Sequence, residues 1–562
     1  VPKTKSRTPA SGRVRIIPLG GLGEIGKNAT VIQTDRDLIL VDAGVKFPEE
    51  EMHGVDLVIP DFSYLISQRA RLRGIVLTHS HEDHIGGLPY LLQQLGTRVP
   101  VFGTRLTLGM VTGKLKERRV LQFADLSPIE PGTDLALGKL SIQFIPVGHS
   151  IPDAVALAIR TPCGTIVHSG DFKLGHPGES EHDALRDHFA RIGQSGVLVL
   201  LSECVGVERP GRTPPESIVV AALEHVMQAA PGRVIVSTFA SNIGRLNQII
   251  EIAGRLGRRV TIAGRSMENN VRVAGELGFL PSSSEVLVST EAARSFLPNQ
   301  IVYLVTGSQG EPTAALARIA ANDHPHIRIV PGDTVIVSAS PIPGNEEAFA
   351  QTIDNLFRRG ARVVYKAISP DIHVSGHASR DELGELIQTV RPRFCVPLHG
   401  EYRMLVLYRD LAIAEGIPPG NVLLADNGDV LEFTATSARK DGSVPAGSVL
   451  VDGLTVGGVT QVVLRDRGHL AEDGILIATV LIDRTTGELI REPEIVSRGF
   501  VDDTGADVLA DARRQIKTAL KRARAPEPEY GFLIEKIKET LGQLVYRKTR
   551  KRPMILPLVT EV

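Results

Sequence analysis

Thr78-His79-Ser80-His81-Glu82-Asp83-His84-Ile85-Gly86-Gly87 is the stretch that decides the fold. His79, His81, Asp83 and His84, all able to ligate a metal, fall within six residues of one another. The apolar run at 74–78 reads as a strand, and the residues after the cluster open a helix. His79 and His81 are two apart, so on extended chain they project to one side. Asp83 and His84 fall at the start of the helix and can face a second ion. Imidazole and carboxylate donors without thiolate suit Zn²⁺ or Mn²⁺. A polar loop with chance histidines is the plain alternative. The spacing, the preceding strand and the trailing Gly-Gly together count against it.

A binuclear centre needs ligands from elsewhere. His149 ends the strand-like run 141–146 and its exit loop, and Asp171 follows the run 165–169 with a carboxylate that can bridge two ions. Asp42 ends the run 38–41 and reads as a hydrogen-bond acceptor for a ligating imidazole or as a brace for its loop. His168 reads as packed structure. Around these residues, 14–170 is a series of short β-branched runs with helical text between them, an α/β layered pattern.

Further on, Glu203 ends a strand, Asp371-Ile372-His373-Val374-Ser375-Gly376-His377-Ala378-Ser379 is a His- and Gly-rich turn, and Pro397-Leu398-His399-Gly400-Glu401 follows another strand. Strand–helix alternation fills 216–365, and strand-like text with His and Gly punctuation resumes near 372 and runs to about 432. Gly, Ser and Pro make 442–457 look like a linker. Beyond it come strands at 474–482 and 495–501, amphipathic helices at 507–524 and 530–545, and a closing strand at 554–559.

The order Asp, H-x-H-x-D-H, His, Asp resembles the metallo-β-lactamase superfamily, which includes thioesterases and phosphodiesterases. The acid, H-x-S-G-H and P-x-H-G-E motifs after a long α/β insertion resemble its β-CASP nucleases. Within these the whole chain resembles the bacterial ribonuclease J family, from Ile16-Ile17-Pro18-Leu19-Gly20-Gly21-Leu22-Gly23-Glu24-Ile25-Gly26-Lys27-Asn28 through Thr306-Gly307-Ser308-Gln309-Gly310-Glu311-Pro312 to Lys551-Arg552-Pro553-Met554. The implied fold is α/β: a metallo-β-lactamase αββα sandwich (14–215 and 366–441), an inserted β-CASP domain (216–365), a linker (442–464) and a small α+β C-terminal domain (465–562). Residues 1–13 read as a disordered basic tail.

By the same resemblance, His79, His81 and His149 would hold one ion and Asp83, His84 and His399 the other, with Asp171 between them. His377 would be the active-site histidine outside the metal ligands. Glu203 would orient a metal-bound histidine. His373, Val374, Ser375, Gly376, His377 and Ser379 would bind substrate phosphate, joined by Ser308 in a second Gly-Ser turn at a helix N-terminus. Asp452 is a candidate for a structural Ca²⁺. The implied activity is 5′→3′ exonuclease action on single-stranded RNA with a 5′-monophosphate, plus endonuclease action, by two-metal hydrolysis in mRNA decay and rRNA maturation. Implied partners are a second copy of the chain, as a homodimer or homotetramer through the C-terminal domain, and RNA-degradation machinery. The rivals are a DNA-cutting β-CASP nuclease, a small-thioester hydrolase on the same core, and a non-catalytic RNA-binding protein.

Bulk properties agree with an ordinary soluble globular protein. The 562 residues are too many for one core. A net charge of −1 means that composition alone does not point to nucleic acid. The chain has three cysteines and no C-x-x-C pair, which argues for a reducing, cytoplasmic compartment. No apolar run is long enough to span a bilayer, and no signal peptide is read. Gly21-Leu22-Gly23-Glu24-Ile25-Gly26 matches a dinucleotide fingerprint, but strand rather than helix follows, so a glycine-rich hairpin is expected. The run Arg547–Arg552 reads as a solvated charged face, and His182, His225 and His324 as surface or core residues.

Overall fold

The computed structural model describes residues 12–49, 51–281, 283–307, 314–340, 345–484, 486, 488–500, 508–522 and 530–562. Residues 1–11 of the expected tail, residues 308–311 of the expected Gly-Ser turn (Ser308 among them), and the 501 end of the expected strand lie outside the described residues. The chain divides into two compact units, Val1–Phe47 with Leu57–Val449 and Pro48–Asp56 with Leu450–Val562.

Two mixed sheets of the first unit carry the chemistry. One has the order Ala438–Ser443, Asp429–Phe433, Val14–Gly20, Ala29–Gln33, Leu38–Val41, Leu72–Val76, Val99–Gly103, Ala124–Pro128. The other runs Phe394–Leu398, Val197–Glu203, Gly164–His168, Val155–Thr161, Leu140–Pro146, Asp134–Leu137. Leu38–Val41 and Leu72–Val76 are parallel, so Asp42 and the loop from Leu77 leave the sheet at one edge. Gly164–His168, Val197–Glu203 and Phe394–Leu398 are also mutually parallel, which brings Asp171, Glu203 and His399 to a common edge. Their uninterrupted apolar text, such as Val-Leu-Val-Leu-Leu at 197–201, is that of strands buried on both faces, and all five of those residues are buried. Glu203 pairs with Leu398 across almost two hundred residues of sequence, so the chain departs and returns at neighbouring strands.

Between those strands lies a parallel five-stranded sheet ordered Arg259–Ala263, Ile301–Val305, Val234–Ser237, Thr334–Val337, Arg362–Val364. Helices Ile243–Arg255, Arg265–Glu276, Ala315–Ala321 and Glu346–Arg358 alternate with it. Ile235, Val305, Leu316, Ile319, Ile353 and Leu356 share one of its cores.

Two stretches differ from the sequence reading. The run from 372 to 432 is not mainly strand: it holds helices Arg380–Val390 and Tyr402–Ala414. Leu383, Leu386, Ile387 and Val390 recur at helical spacing and are buried, a period that the neighbouring His and Gly residues obscure. The stretch read as a linker at 442–464 carries strands Ser448–Asp452 and Thr455–Val456 and opens helix Gln461–Asp473. Gly453, at φ 58°, turns the chain between the two strands. The glycine-rich loop at 21–26 does lack a following helix; Leu22–Gly23 pairs with Gly400–Glu401 instead.

In the second unit, Ile475–Ile482 lies antiparallel to Glu494–Arg498 and parallel to Met554–Glu561. Leu476, Ala478 and Val480 pack with Ile516, Ile537 and Leu541 of helices Val508–Arg522 and Tyr530–Thr549. Ile477 pairs with Val496 on one side and Leu556 on the other, a row on the opposite face of the sheet; Val496 and Leu556 are exposed. In the basic run, the Arg550 and Arg552 guanidinium groups lie 5.5 and 4.7 Å from the Tyr546 ring centre, and Lys548 pairs with Asp511. Part of that run is thus engaged with its own fold.

Candidate metal centre

The common edge of the two sheets assembles the predicted ligands into two groups. One ligand atom from each of His79, His81, His149 and Asp171 lies within 4.8 Å of the others, and the same holds for Asp83, His84, Asp171 and His399. Asp171 divides its carboxylate between them. Its Oδ2 is 3.6 Å from His79 Nε2 and 3.8 Å from His149 Nε2. Its Oδ1 is 2.8 Å from His399 Nδ1 and 3.3 Å from His84 Nε2. Asp83 Oδ2 closes the second group, 3.2 Å from His399 Nε2 and 3.6 Å from His84 Nε2.

Hydrogen bonds behind the rings fix their tautomers. His149 Nδ1 donates to the Gly376 carbonyl (2.8 Å), leaving Nε2 a lone pair. Thr78 Oγ1 donates to Asp42 Oδ2 (2.8 Å), so it accepts from His79 Nδ1 (3.0 Å), again leaving a lone pair on Nε2. Both lone pairs converge on His81 Nδ1 at 3.1 Å, where at most one N–H can answer them. Asp42 also accepts from His84 Nδ1 (2.8 Å), the brace read from the sequence.

The electrostatics suit a cation. Burial holds His79 and His149 well below the ordinary histidine range and His81 at about 4, so all three are neutral donors. Burial also opposes charge on His84 and His399, but Asp171 and its neighbouring carboxylates outweigh it, taking His84 well up and His399 to about 10. Burial opposes charge on Asp171 too, yet His399, His84 and His377 keep it well below the carboxylate range. That negative field would hold a divalent ion in place of protons. Asp171 Oδ2 is buried without a hydrogen-bond partner, an acceptor that a cation would satisfy. The donor set therefore fits two divalent metals.

His377 stands beside these groups. Its Nδ1 is 3.7 Å from Asp171 Oδ2 and 2.7 Å from Glu203 Oε2. This corrects the expectation for Glu203: it orients His377, not a histidine of either four-residue group. Its other oxygen accepts from Phe172 N (2.7 Å), which aims the carboxylate at the 377 turn. Asp171, Glu203 and His377 themselves form a third group within the same spread.

The expected phosphate cradle is largely spoken for. His377 N donates to Ser375 Oγ (3.1 Å), Ala378 N to Phe172 O (2.6 Å) and Ser379 N to Glu382 (2.9 Å). Ser379 is the residue before helix Arg380–Val390, and its hydroxyl meets Thr213 Oγ1. His373 is buried, with Nδ1 unpartnered and its pKa lowered to about 3 by burial. Val374 is buried too. Gly376 is needed where it stands: a Cβ would sit 3.0 Å from His149 Cε1 and from Ser150. Asp452 does not gather a cation site, because its carboxylate pairs with Arg467, whose guanidinium also donates to the His53 and Gly54 carbonyls. His168 accepts from Gly170 N and is held near 4 by burial, as a packed residue.

Sequence reading missed two neighbours of the centre. Asn28 Nδ2 lies 3.1 Å from His84 Nε2, and Ser150 Oγ lies 3.3 Å from His81 Nε2. Nothing local marks Asn28, since its partner is 56 residues away; Ser150 carries only the signal of following His149.

Parallel strands ending in a His/Asp pair of clusters define a metal-dependent hydrolase of the metallo-β-lactamase superfamily. Family models agree: residues 22–199 match the metallo-beta-lactamase superfamily, 231–356 the ribonuclease J beta-CASP domain, 362–420 the Zn-dependent metallo-hydrolase RNA specificity domain, and 462–562 the ribonuclease J C-terminal domain. The chain is 42% identical to ribonuclease J of Thermus thermophilus (100% of this chain, 97% of that one) and 39% identical to ribonuclease J2 of Bacillus subtilis (98% and 99%). It is 40% identical to ribonuclease J of Mycobacterium tuberculosis over 98% of each. A solved structure of a protein of unknown function from Enterococcus faecalis shares the fold at 18% identity and TM-score 0.53, covering 75% of this chain and 100% of that one. The chain belongs to the ribonuclease J family and is a metal-dependent ribonuclease that binds RNA. No helix among the described residues is long and apolar enough to cross a membrane.

Proposed function

We propose that the chain degrades single-stranded RNA 5′→3′ from a 5′-monophosphate and also cuts internally, serving mRNA decay and rRNA maturation in the cytoplasm. The observation that carries the reading is the split Asp171 carboxylate, one oxygen toward each ligand group, with His377 beside it. His79, His81 and His149 would hold one ion, Asp83, His84 and His399 the other, and Asp171 both. Two bound divalent ions, Zn²⁺ ahead of Mn²⁺, would lower the pKa of a water and offset charge on the phosphoryl oxygens.

The chain's own residues do the rest. Glu203 takes up His377 Nδ1, so the ring's other nitrogen is the one that hands a proton to the leaving 3′-oxygen. The His377 side chain is 24% exposed and thus within reach of substrate. Asp42 and Gly376 O keep His84 and His149 turned toward the ions. Oligomerisation as a dimer or tetramer, through the C-terminal unit, is supported by exposed Val496 and Leu556, which flank half-buried Ile477 in one row of the sheet. RNA-degradation machinery is a further partner on this reading.

The test uses one RNA sequence bearing a 5′-monophosphate or a 5′-triphosphate, a circular form of it, and the matching DNA. The proposal expects fast mononucleotide release from the monophosphate, slow release from the triphosphate, and internal cuts in the circle. Equal rates from both ends would remove the end preference, an uncut circle the endonuclease, and faster DNA cleavage the RNA assignment.

A further inference from the structure

Glu382 lies in the first turn of helix Arg380–Val390, and none of its surface is exposed (0%). Its Oε1 accepts from Leu174 N (2.9 Å) and Gly175 N (3.3 Å), and its Oε2 from Thr213 N (2.8 Å) and Ser379 N (2.9 Å). A carboxylate out of water must be compensated. Here backbone amides supply much of that compensation, as charge-assisted bonds. A helix cap would need only the Ser379 amide; the other three bonds reach outside the helix.

Those amides belong to segments that border the reacting groups. Leu174 and Gly175 follow Asp171 in the chain. Ser379 is two residues past His377. Thr213 donates its hydroxyl to the His377 carbonyl (2.8 Å) and meets Ser379 Oγ (2.9 Å). Ala378 N donates to Phe172 O, while Phe172 N donates to Glu203, the acceptor of His377. Arg209, the cation facing Glu382 and Glu203, reaches the same His377 carbonyl at 3.4 Å. The Asp171 loop, the 213 loop and the 377 turn are therefore tied to one another, and the Glu382 carboxylate bonds all three.

We propose that Glu382 is a positioning residue for the reaction: it holds His377 in register with Asp171 and Glu203 without touching substrate or metal. This rests on the reading of His377 as proton donor. A glutamine of the same size would keep one acceptor oxygen but turn an NH₂ toward two N–H donors, so the tie between loops would loosen. A shift of the order of an ångström in a reacting group lowers rate by about 10²-fold.

The test is single-turnover cleavage of 5′-labelled RNA by the full-length metal-loaded chain as wild type, Glu382→Gln, His377→Ala and the double variant. Metal content, RNA affinity and melting temperature are measured alongside. The expected result is a fall of about 10²-fold in rate for Glu382→Gln, with metal content and RNA affinity kept. In the His377→Ala background the same substitution should add less than about twofold, because the two act as one network. A wild-type rate in Glu382→Gln, or losses that multiply in the double variant, would overturn the proposal. Failure of the His377 reading itself shows separately, as full turnover in His377→Ala alone. Should Glu382→Gln not fold, Thr213→Val removes the hydroxyl bonds to His377 O and Ser379 and leaves the Thr213 amide on Glu382. It is expected to lose about tenfold, again without additivity on His377→Ala; a wild-type rate or additive loss overturns the proposal equally.

Discussion

The catalytic edge of the first unit and the open face of the C-terminal sheet handle polarity in opposite ways. At the edge, charged and polar groups are buried and tied together, and the backbone accepts strain to do it: Asp42 and His399 hold φ at 59° and 49°. Side chains other than glycine occupy that region at a cost, and they persist when their surroundings over-determine them. Asp42 is fixed by Thr78 N, Thr78 Oγ1 and His84, and His399 by Asp171 and Asp83. On the C-terminal sheet the situation reverses: apolar Val496 and Leu556 face outward. The first arrangement suits ions and protons, whereas the second leaves apolar side chains in water.

Four variants probe that contrast, in descending order of effect. Asp171→Ala removes the carboxylate shared by both ligand groups, and cleavage should fall to background. A residual rate near wild type would mean that the two groups do not depend on it. His377→Ala should keep both metals and lose roughly 10²–10⁴-fold in turnover, the range for an acid–base group. Metal loss on this substitution would move His377 into the ligand set. Asp42→Asn weakens the brace behind His84 and should cost about 10–100-fold in metal affinity, read by competition with a chelator. Unchanged affinity would reduce Asp42 to a loop brace. Paired Leu556→Lys and Leu558→Lys, the latter also exposed on Met554–Glu561 and paired with Thr479, should split an oligomer toward smaller species in light scattering while per-site turnover stays near wild type. Unchanged mass would show that the open sheet face is not the subunit contact.

The grouping of the candidate ligands was legible because these residues sit in short motifs that follow strands. The four donors between His79 and His84 need no tertiary knowledge. Asp171 and His399 follow strands that run parallel to Val197–Glu203, which brings their ends to one edge, and His149 follows Leu140–Pro146, which pairs antiparallel with Val155–Thr161. What was not legible depends on contacts across the chain. Glu203 meets His377 over 174 residues, and Asn28 meets His84 over 56. Side-chain length gave no hint of the first partner, since orientation is set by the Phe172 amide. Asp452 looked free to bind a cation only because Arg467 enters from the following helix. The helices at 380–390 and 402–414 were hidden by the His- and Gly-rich turns that precede them, although the first carries a regular apolar period.

The central claim, that two ligand groups meet on Asp171, is tested most directly by counting tightly bound divalent ions per chain by mass spectrometry after gel filtration. The count is taken for wild type, His81→Ala, His399→Ala and Asp171→Ala. Two ions are expected in the wild-type chain, with loss of one in each histidine variant and loss of both in Asp171→Ala. A single ion in the wild type, or an undiminished count in Asp171→Ala, would contradict the claim.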